Sequence, residues 1–189
     1  QTIEGFGGAI TDAAAETYYK LPEDKRKEII EAYFGSGEGI GYNLVRVNIA
    51  SCDFSSSSYS YVNEGDTSLE SFTIDHDLKY KIPMIKEARA AAGEEVLMFA
   101  SPWSPPAWMK TNGDVLHGGK LIDGYRQAWA NHFVKFIDAY TKTGIPVWAV
   151  SAQNEPLAVQ TWESCVYSAG DEAGFIGKYL GPAIEKSAY

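Results

Sequence analysis

The chain holds few of the residues from which most kinds of site are built. Among 189 residues there are 2 cysteines, Cys52 and Cys165, and 3 histidines. Two cysteines are too few for a disulfide scaffold and lack metal-ligand spacing, so both are expected as free thiols. The histidines (His76, His117, His132) lack the HExxH type of spacing, and no metal is expected. Neither a GxGxxG opening a helix nor a GxxxxGK[ST] occurs, which removes the phosphate-cradling motifs, and no cofactor is expected. Positive charge is also scarce. There are 16 Lys and Arg against 25 Asp and Glu, a net charge of −9, which suits a nucleic-acid partner poorly. No apolar run approaches the roughly 18 residues that a membrane span needs. No basic segment followed by an apolar stretch opens the sequence, so no signal peptide is expected, and both a cytoplasmic and a secreted location stay open.

What is present is the mixture of a folded domain. Hydrophobic residues make up 45% and charged residues 22%, and the length is that of one domain. Aromatics reach 13%, with 5 Trp and 12 Tyr, which suits both a filled core and stacking on sugar rings.

Short apolar strands alternate with longer helical patterns. Tyr42–Ala50 alternates apolar and polar residues and is rich in Val and Ile, Val96–Ala100 is an all-apolar run, and Pro146–Gln153 resembles them. A fourth strand, made irregular by three glycines, is expected within Thr2–Ile10. Helices are expected over Glu23–Phe34, Ile82–Ala92, Gly124–Lys142 and about Asp171–Lys186. In the third, Tyr125, Ala128, Trp129, Phe133, Phe136, Ile137 and Tyr140 form one stripe of a 3.6-residue period. Pro182 is expected to kink or restart the last.

Strand then helix, four times over, reads as parallel βα units. Four units cannot close an eight-stranded barrel, which takes about 250 residues. The pattern therefore describes either a small open α/β sheet or the front half of a barrel. In both, ligands sit at the C-terminal ends of the strands.

Those ends are Ser51–Ser55, Ser101–Trp108 and Gln153–Pro156. Asn154-Glu155-Pro156 places a carboxylate beside an amide and a rigid proline. This suits a general acid whose proton is retained by partial burial among Trp and apolar neighbours, with Asn154 on a sugar hydroxyl. Taken alone, the tripeptide reads more readily as a helix-entry turn with a solvated Glu.

Five segments together resemble glycoside hydrolase family 30, most closely its glucosylceramidase-like branch. They are Gly5–Ala15 (GFGGAITDAAA), Arg46-Val47 with Ala50–Ser55 (ASCDFS), Ala100–Asn112 (ASPWSPPAWMKTN), Phe133–Phe136 and Asn154–Pro156. The resemblance runs through the whole chain in order. It implies a (β/α) barrel of the TIM type, with residues 1–189 as the first four βα units, a half-barrel. It also implies roles. Glu155 is the acid/base and Asn154 contacts the sugar 2-hydroxyl. Asp53 and Trp103 hydrogen-bond hydroxyls of the terminal sugar, and Phe54 and Trp108 are wall residues. Arg46 supports the carboxylate of the nucleophile. The implied substrate is a β-glucoside of the glucosylceramide type, although family members also cleave xylosides and β-1,6-glucans.

One departure is large. Retaining hydrolysis needs two carboxylates about 5 Å apart, and in this family the nucleophile ends the seventh strand. No residue here matches it; Asp12, Glu16 and Glu163 are stand-ins only in principle. The resemblance thus implies a sugar-hydrolase lineage with half of its catalytic pair, inactive or weakly active alone. A non-catalytic sugar-binding or self-assembling half-barrel is the alternative, and an unrelated α/β binding domain a third. Open edges on the first and fourth strands invite pairing with another chain, so a homo-oligomer is expected.

Overall fold

A computed structural model describes residues 2–93 and 96–189. Four strands, β1 (Gly7–Ala9), β2 (Leu44–Ile49), β3 (Leu97–Pro102) and β4 (Val147–Val150), form one sheet in the order β1-β2-β3-β4. All neighbours are parallel. β2 and β3 stay in register from Leu44↔Leu97 to Ile49↔Pro102. Between β3 and β4 the pairing shifts at Met98/Phe99. β1 comes so close to β2 that a Cβ on Gly7 would lie 1.7 Å from the Leu44 carbonyl oxygen. Only glycine fits there, which explains a glycine-rich strand.

The helices cover one face. Between β1 and β2 lie α1 (Asp12–Tyr18) and α2 (Glu23–Phe34). Between β2 and β3 lie α3 (Asp75–Leu78) and α4 (Lys81–Ala91), between β3 and β4 lies α5 (Arg126–Lys142), and after β4 come α6 (Ala169–Phe175) and α7 (Gly181–Glu185). α2 begins and ends where Pro22 and Gly35 predict. α5 places the predicted stripe inward: Trp129, Phe133, Phe136 and Tyr140 are fully buried. They pack with Val45, Val47 and Ile49 of β2 and Met98 and Ala100 of β3 in one core.

Two local features differ from the expectation, and a third, the restart of the last helix at Pro182, follows it. α1 lies inside the glycine- and alanine-rich stretch, capped by the Thr11 hydroxyl, which accepts from the Ala14 N–H at 3.3 Å. α6 starts at a capping box in which Ser168 and Asp171 satisfy each other's backbone N–H groups. Residues 176–180 form a π turn between α6 and α7. Pro182 lacks an N–H and its ring crowds the carbonyl four residues back, and the wider turn absorbs both effects. Among the described residues no helix is long and apolar enough to cross a membrane. Cys52 and Cys165 are buried free thiols, as expected.

Candidate active site

The site is built where β2, β3 and β4 end. β2 leaves the sheet through Ala50 at φ 59°, and the β4 loop turns at Glu155 with φ 43°. Left-handed backbone costs a non-glycine residue roughly 1–2 kcal/mol, and such strain gathers at functional sites. Both turns lie on loops at strand C-termini.

Arg46 rises from the middle of β2 and organises the floor. Its Nη2 donates to Asn154 Oδ1 at 2.7 Å and its Nε to Ser101 Oγ at 3.2 Å. Its guanidinium lies 4.7 Å from the Trp103 ring centroid, a cation–π contact. Partial burial draws the Arg46 pKa down, against the opposing pull of Cys52, Glu155 and Asp53. The β4 loop is also tied to β3 directly. The Asn154 N–H donates to the Pro102 carbonyl at 2.8 Å, and Gln153 Nε2 donates to the Trp103 carbonyl at 2.6 Å.

These contacts open onto a cavity of about 780 Å³ lined by Arg46, Asp53, Phe54, Trp103, Asn154 and Glu155, with Asn48 and Trp162 added. Six of the seven residues singled out in the sequence therefore share one cavity. The seventh, Trp108, lines a neighbouring depression and packs edge-on against Tyr125 at 5.1 Å. Trp103 is 8% exposed, so it serves core and cavity together. Asp53, Phe54 and Glu155 are exposed. The burial expected around Glu155 is thus not found. Its loop follows β4, an edge strand, and no described element stands on its far side.

Other carboxylates are committed elsewhere. Asp12 is paired with Lys81 at 3.1 Å, Glu16 accepts from the Ser56 hydroxyl at 2.8 Å, and Glu163 accepts from the Ser58 hydroxyl at 2.7 Å. None lines the cavity. Sequence reasoning missed Trp162, which lies in a loop without periodicity, and Lys110. The Lys110 ammonium is buried and donates to the Val115 carbonyl at 3.1 Å and the Ser164 carbonyl at 2.7 Å, stapling the β3 loop to the β4 loop. Burial pushes its pKa down to about 8, against the pull of Cys165, Asp114 and Glu163.

A parallel strand-helix succession with an aromatic, carboxylate-bearing cavity at the strand C-termini is the arrangement that (β/α)-barrel enzymes use. Residues 3–189 match the family described as glycosyl hydrolase family 30 TIM-barrel domain, and the chain belongs to that family. It is similar to the putative glucosylceramidase 4 of Caenorhabditis elegans, with 43% identity covering 99% of this chain and 38% of the relative. The lysosomal acid glucosylceramidase of Mus musculus is 41% identical over 100% of this chain and 38% of its own length. In structure it is similar to SrfJ from Salmonella typhimurium, with a TM-score of 0.94, 37% identity, and coverage of 98% of this chain and 42% of that one. The chain thus spans about two fifths of the length of these relatives, in keeping with a half-barrel of four parallel strands in an open sheet.

Proposed function

We propose that residues 1–189 form the N-terminal half of a (β/α)8 catalytic domain and supply the acid/base side of a retaining β-glycosidase site. The substrate would be a β-glucoside of the glucosylceramide type. The observation that carries this reading is the convergence of Asp53, Trp103, Asn154 and Glu155 on one cavity with Arg46 beneath them. Glu155 gives its proton to the glycosidic oxygen as the aglycone leaves, then takes one from the water that releases the sugar. Asn154, held by Arg46, faces the sugar 2-hydroxyl. Asp53 and Trp103 hold hydroxyls of the terminal ring, and Phe54 is a wall. Trp108 walls the neighbouring depression. The nucleophile belongs to the seventh strand of the family barrel, where Arg46 would support its carboxylate.

A second reading, sugar binding without turnover, is favoured by one observation. Asp53 and Glu155 are the only carboxylates among the described residues that line the cavity, and Asp53 is assigned to hydroxyls. An aryl β-glucoside assay with tryptophan fluorescence separates the two. Any turnover should fall about 10²–10⁴-fold in Glu155→Gln. Quenching by glucoside without turnover, lost in Asp53→Ala, supports binding alone. Neither turnover nor quenching overturns both readings. Self-association through the edges of β1 and β4 is part of the same proposal; a light-scattering mass equal to one chain would overturn it.

A further inference from the structure

The turn that carries Asp53 is anchored to a buried ionic cluster that has no part in the chemistry above. Lys81, the first residue of α4, is 1% exposed; Asp12, at the start of α1, is 3% exposed, and Asp77 of α3 is fully buried. Lys81 Nζ lies 3.1 Å from Asp12 Oδ1 and 3.0 Å from Asp77 Oδ1. Tyr61 and Tyr140 donate to Asp77 Oδ2 at 2.5 and 2.6 Å. Lys81 Nζ also donates to the Asn48 carbonyl at 3.3 Å and the Tyr59 hydroxyl at 3.2 Å, so the ammonium is held from several sides.

Such a cluster is weak evidence for stability, because apolar side chains of the same volume pack equally well. What apolar side chains cannot do is grip a hydroxyl. Asp12 Oδ2 accepts from the Asn48 amide at 2.9 Å and from the Ser55 hydroxyl. The Ser55 oxygen in turn accepts the Cys52 N–H at 3.0 Å. The Ser55 N–H donates to the Cys52 carbonyl at 2.9 Å, and the Ala13 N–H beside Asp12 donates to the Phe54 carbonyl at 2.8 Å. The turn Cys52–Ser55 is thus closed on itself and tied down at its base, with Asp53 and Phe54 at its tip.

We propose that the Asp12–Lys81–Asp77 cluster is a positioning device that sets the Asp53 carboxylate in the cavity, acting through the Ser55 hydroxyl. This rests on the assignment of Asp53 to sugar hydroxyls. Asp12, Lys81 and Ser55 are positioning residues, since none of them lines the cavity.

The test uses the whole chain, with two measurements on the same variants. Amide hydrogen exchange reads the 52–55 segment against α5, and tryptophan fluorescence reads methyl β-glucoside affinity. Losing one hydrogen bond to a charged group should speed exchange of the 52–55 segment about tenfold and weaken the glucoside about tenfold in Ser55→Ala, with α5 unchanged. Ser55→Thr, which keeps the hydroxyl, should restore both. Lys81→Met should have the larger effect, and if it does not fold, Ser55→Ala still decides. Unchanged exchange at 52–55 in Ser55→Ala overturns the proposal. So does a loosened turn with unchanged affinity when Asp53→Ala abolishes binding. If Asp53→Ala also leaves affinity unchanged, the assignment of Asp53 fails, while faster exchange in Ser55→Ala at the Ala13 and Ser55 amides, which bond backbone carbonyls rather than the Ser55 hydroxyl, still upholds the cluster's hold on the turn.

Discussion

The two faces of the sheet come from the same strands and have opposite fates. On the helix-covered face, Val45, Val47, Ile49, Met98 and Ala100 are at most 1% exposed. On the other face, Leu44, Arg46 and Phe99 are half-buried and Trp148 is 55% exposed. Leu44, Arg46, Phe99 and Trp148 share an open depression of about 490 Å³. A strand of period two sends alternate residues to each side, so the pattern specifies two apolar faces while the helices α1–α7 cover only one. The difference teaches that the packed core lies on one side of the layer and the open depression on the other, with the cavity at the strand ends reached from both, since Val47, Ile29 and Met84 line it as well as Arg46 and Asn48. Arg46 is where depression and cavity meet, with its stem in the open depression and its guanidinium bonded to Asn154 at the cavity floor.

The comparison breaks most sharply by truncation. Phe133→Ala, in the fully buried stripe of α5, should cost about 3–5 kcal/mol in urea unfolding. Trp148→Ala should stay within about 0.5 kcal/mol, as for an exposed position. A large loss at Trp148 would mean that the open face is covered in solution, which is what edge-to-edge association would do.

The next effect is in pH. His132 of α5 is fully enclosed, ringed by Tyr61, Phe72 and Trp129 at 4.7–5.9 Å. Among the described residues neither ring nitrogen has a hydrogen-bond partner. Burial pushes its pKa down from 6.5 to about 3. A group with a depressed folded pKa lends stability that is complete above its unfolded pKa and is lost as pH falls toward the folded value. Between pH 6.5 and about 3 the unfolded chain binds a proton that the folded chain refuses, costing about 1.4 kcal/mol per pH unit. Unfolding midpoints taken between pH 7 and 4.5 should fall in the wild type and flatten in His132→Phe. An equal slope in both would place the acid sensitivity elsewhere.

Across the layer, Arg46→Leu should remove the grip on Asn154 while barely touching the helix side. Losing a charge-assisted bond should weaken glucoside quenching about tenfold and shift the thermal midpoint less than Phe133→Ala does. A midpoint shift as large as that of Phe133→Ala would make Arg46 a core residue instead.

How much of this could be read from the residues depends on how local the signal is. β-branched alternation marks β2, and Pro22 with Gly35 brackets α2, because those effects act within a few residues. The start of α1 is hidden because Gly5–Ala9 serves a close strand approach just before it. That Asp53, Trp103, Asn154 and Glu155 come together at one cavity is legible because the C-terminal ends of neighbouring parallel strands lie side by side. The Asp12–Lys81–Asp77 cluster is not, since its members stand up to 69 positions apart and a lysine at a helix start ordinarily reads as solvated. Trp108 next to Trp103 in one motif suggested one cavity, but the extended 104–106 segment and the 3-10 turn Ala107–Met109 after it place the two rings in different depressions. The exposure of Glu155 had no signal in its neighbours, because burial there depends on what stands across from β4 rather than on the loop.

The smallest effect tests whether the helix side can be loosened without disturbing the open side. Ser168 caps α6, accepting from the Asp171 N–H at 3.1 Å and donating to its carboxylate at 2.7 Å. The Asp171 pKa is lowered by the Ser168 hydroxyl and by the Ser168 backbone N–H, which donates to the same carboxylate at 3.3 Å. The capped helix and the π turn after it deliver Phe175, fully buried, and Leu180, 4% exposed, to the core. Ser168→Ala should therefore cost about 1 kcal/mol in unfolding, through the helix-covered layer alone. Arg46, Asp53, Trp103, Asn154 and Glu155 hang from β2, β3 and the β4 loop, and none of them has a hydrogen bond to α6 among the described residues. Glucoside quenching should accordingly stay within twofold of wild type, at pH values where Asp171 is ionised. If capping α6 changes sugar affinity as much as Arg46→Leu does, the two faces are coupled through the 156–168 segment, and the division of labour across the sheet fails.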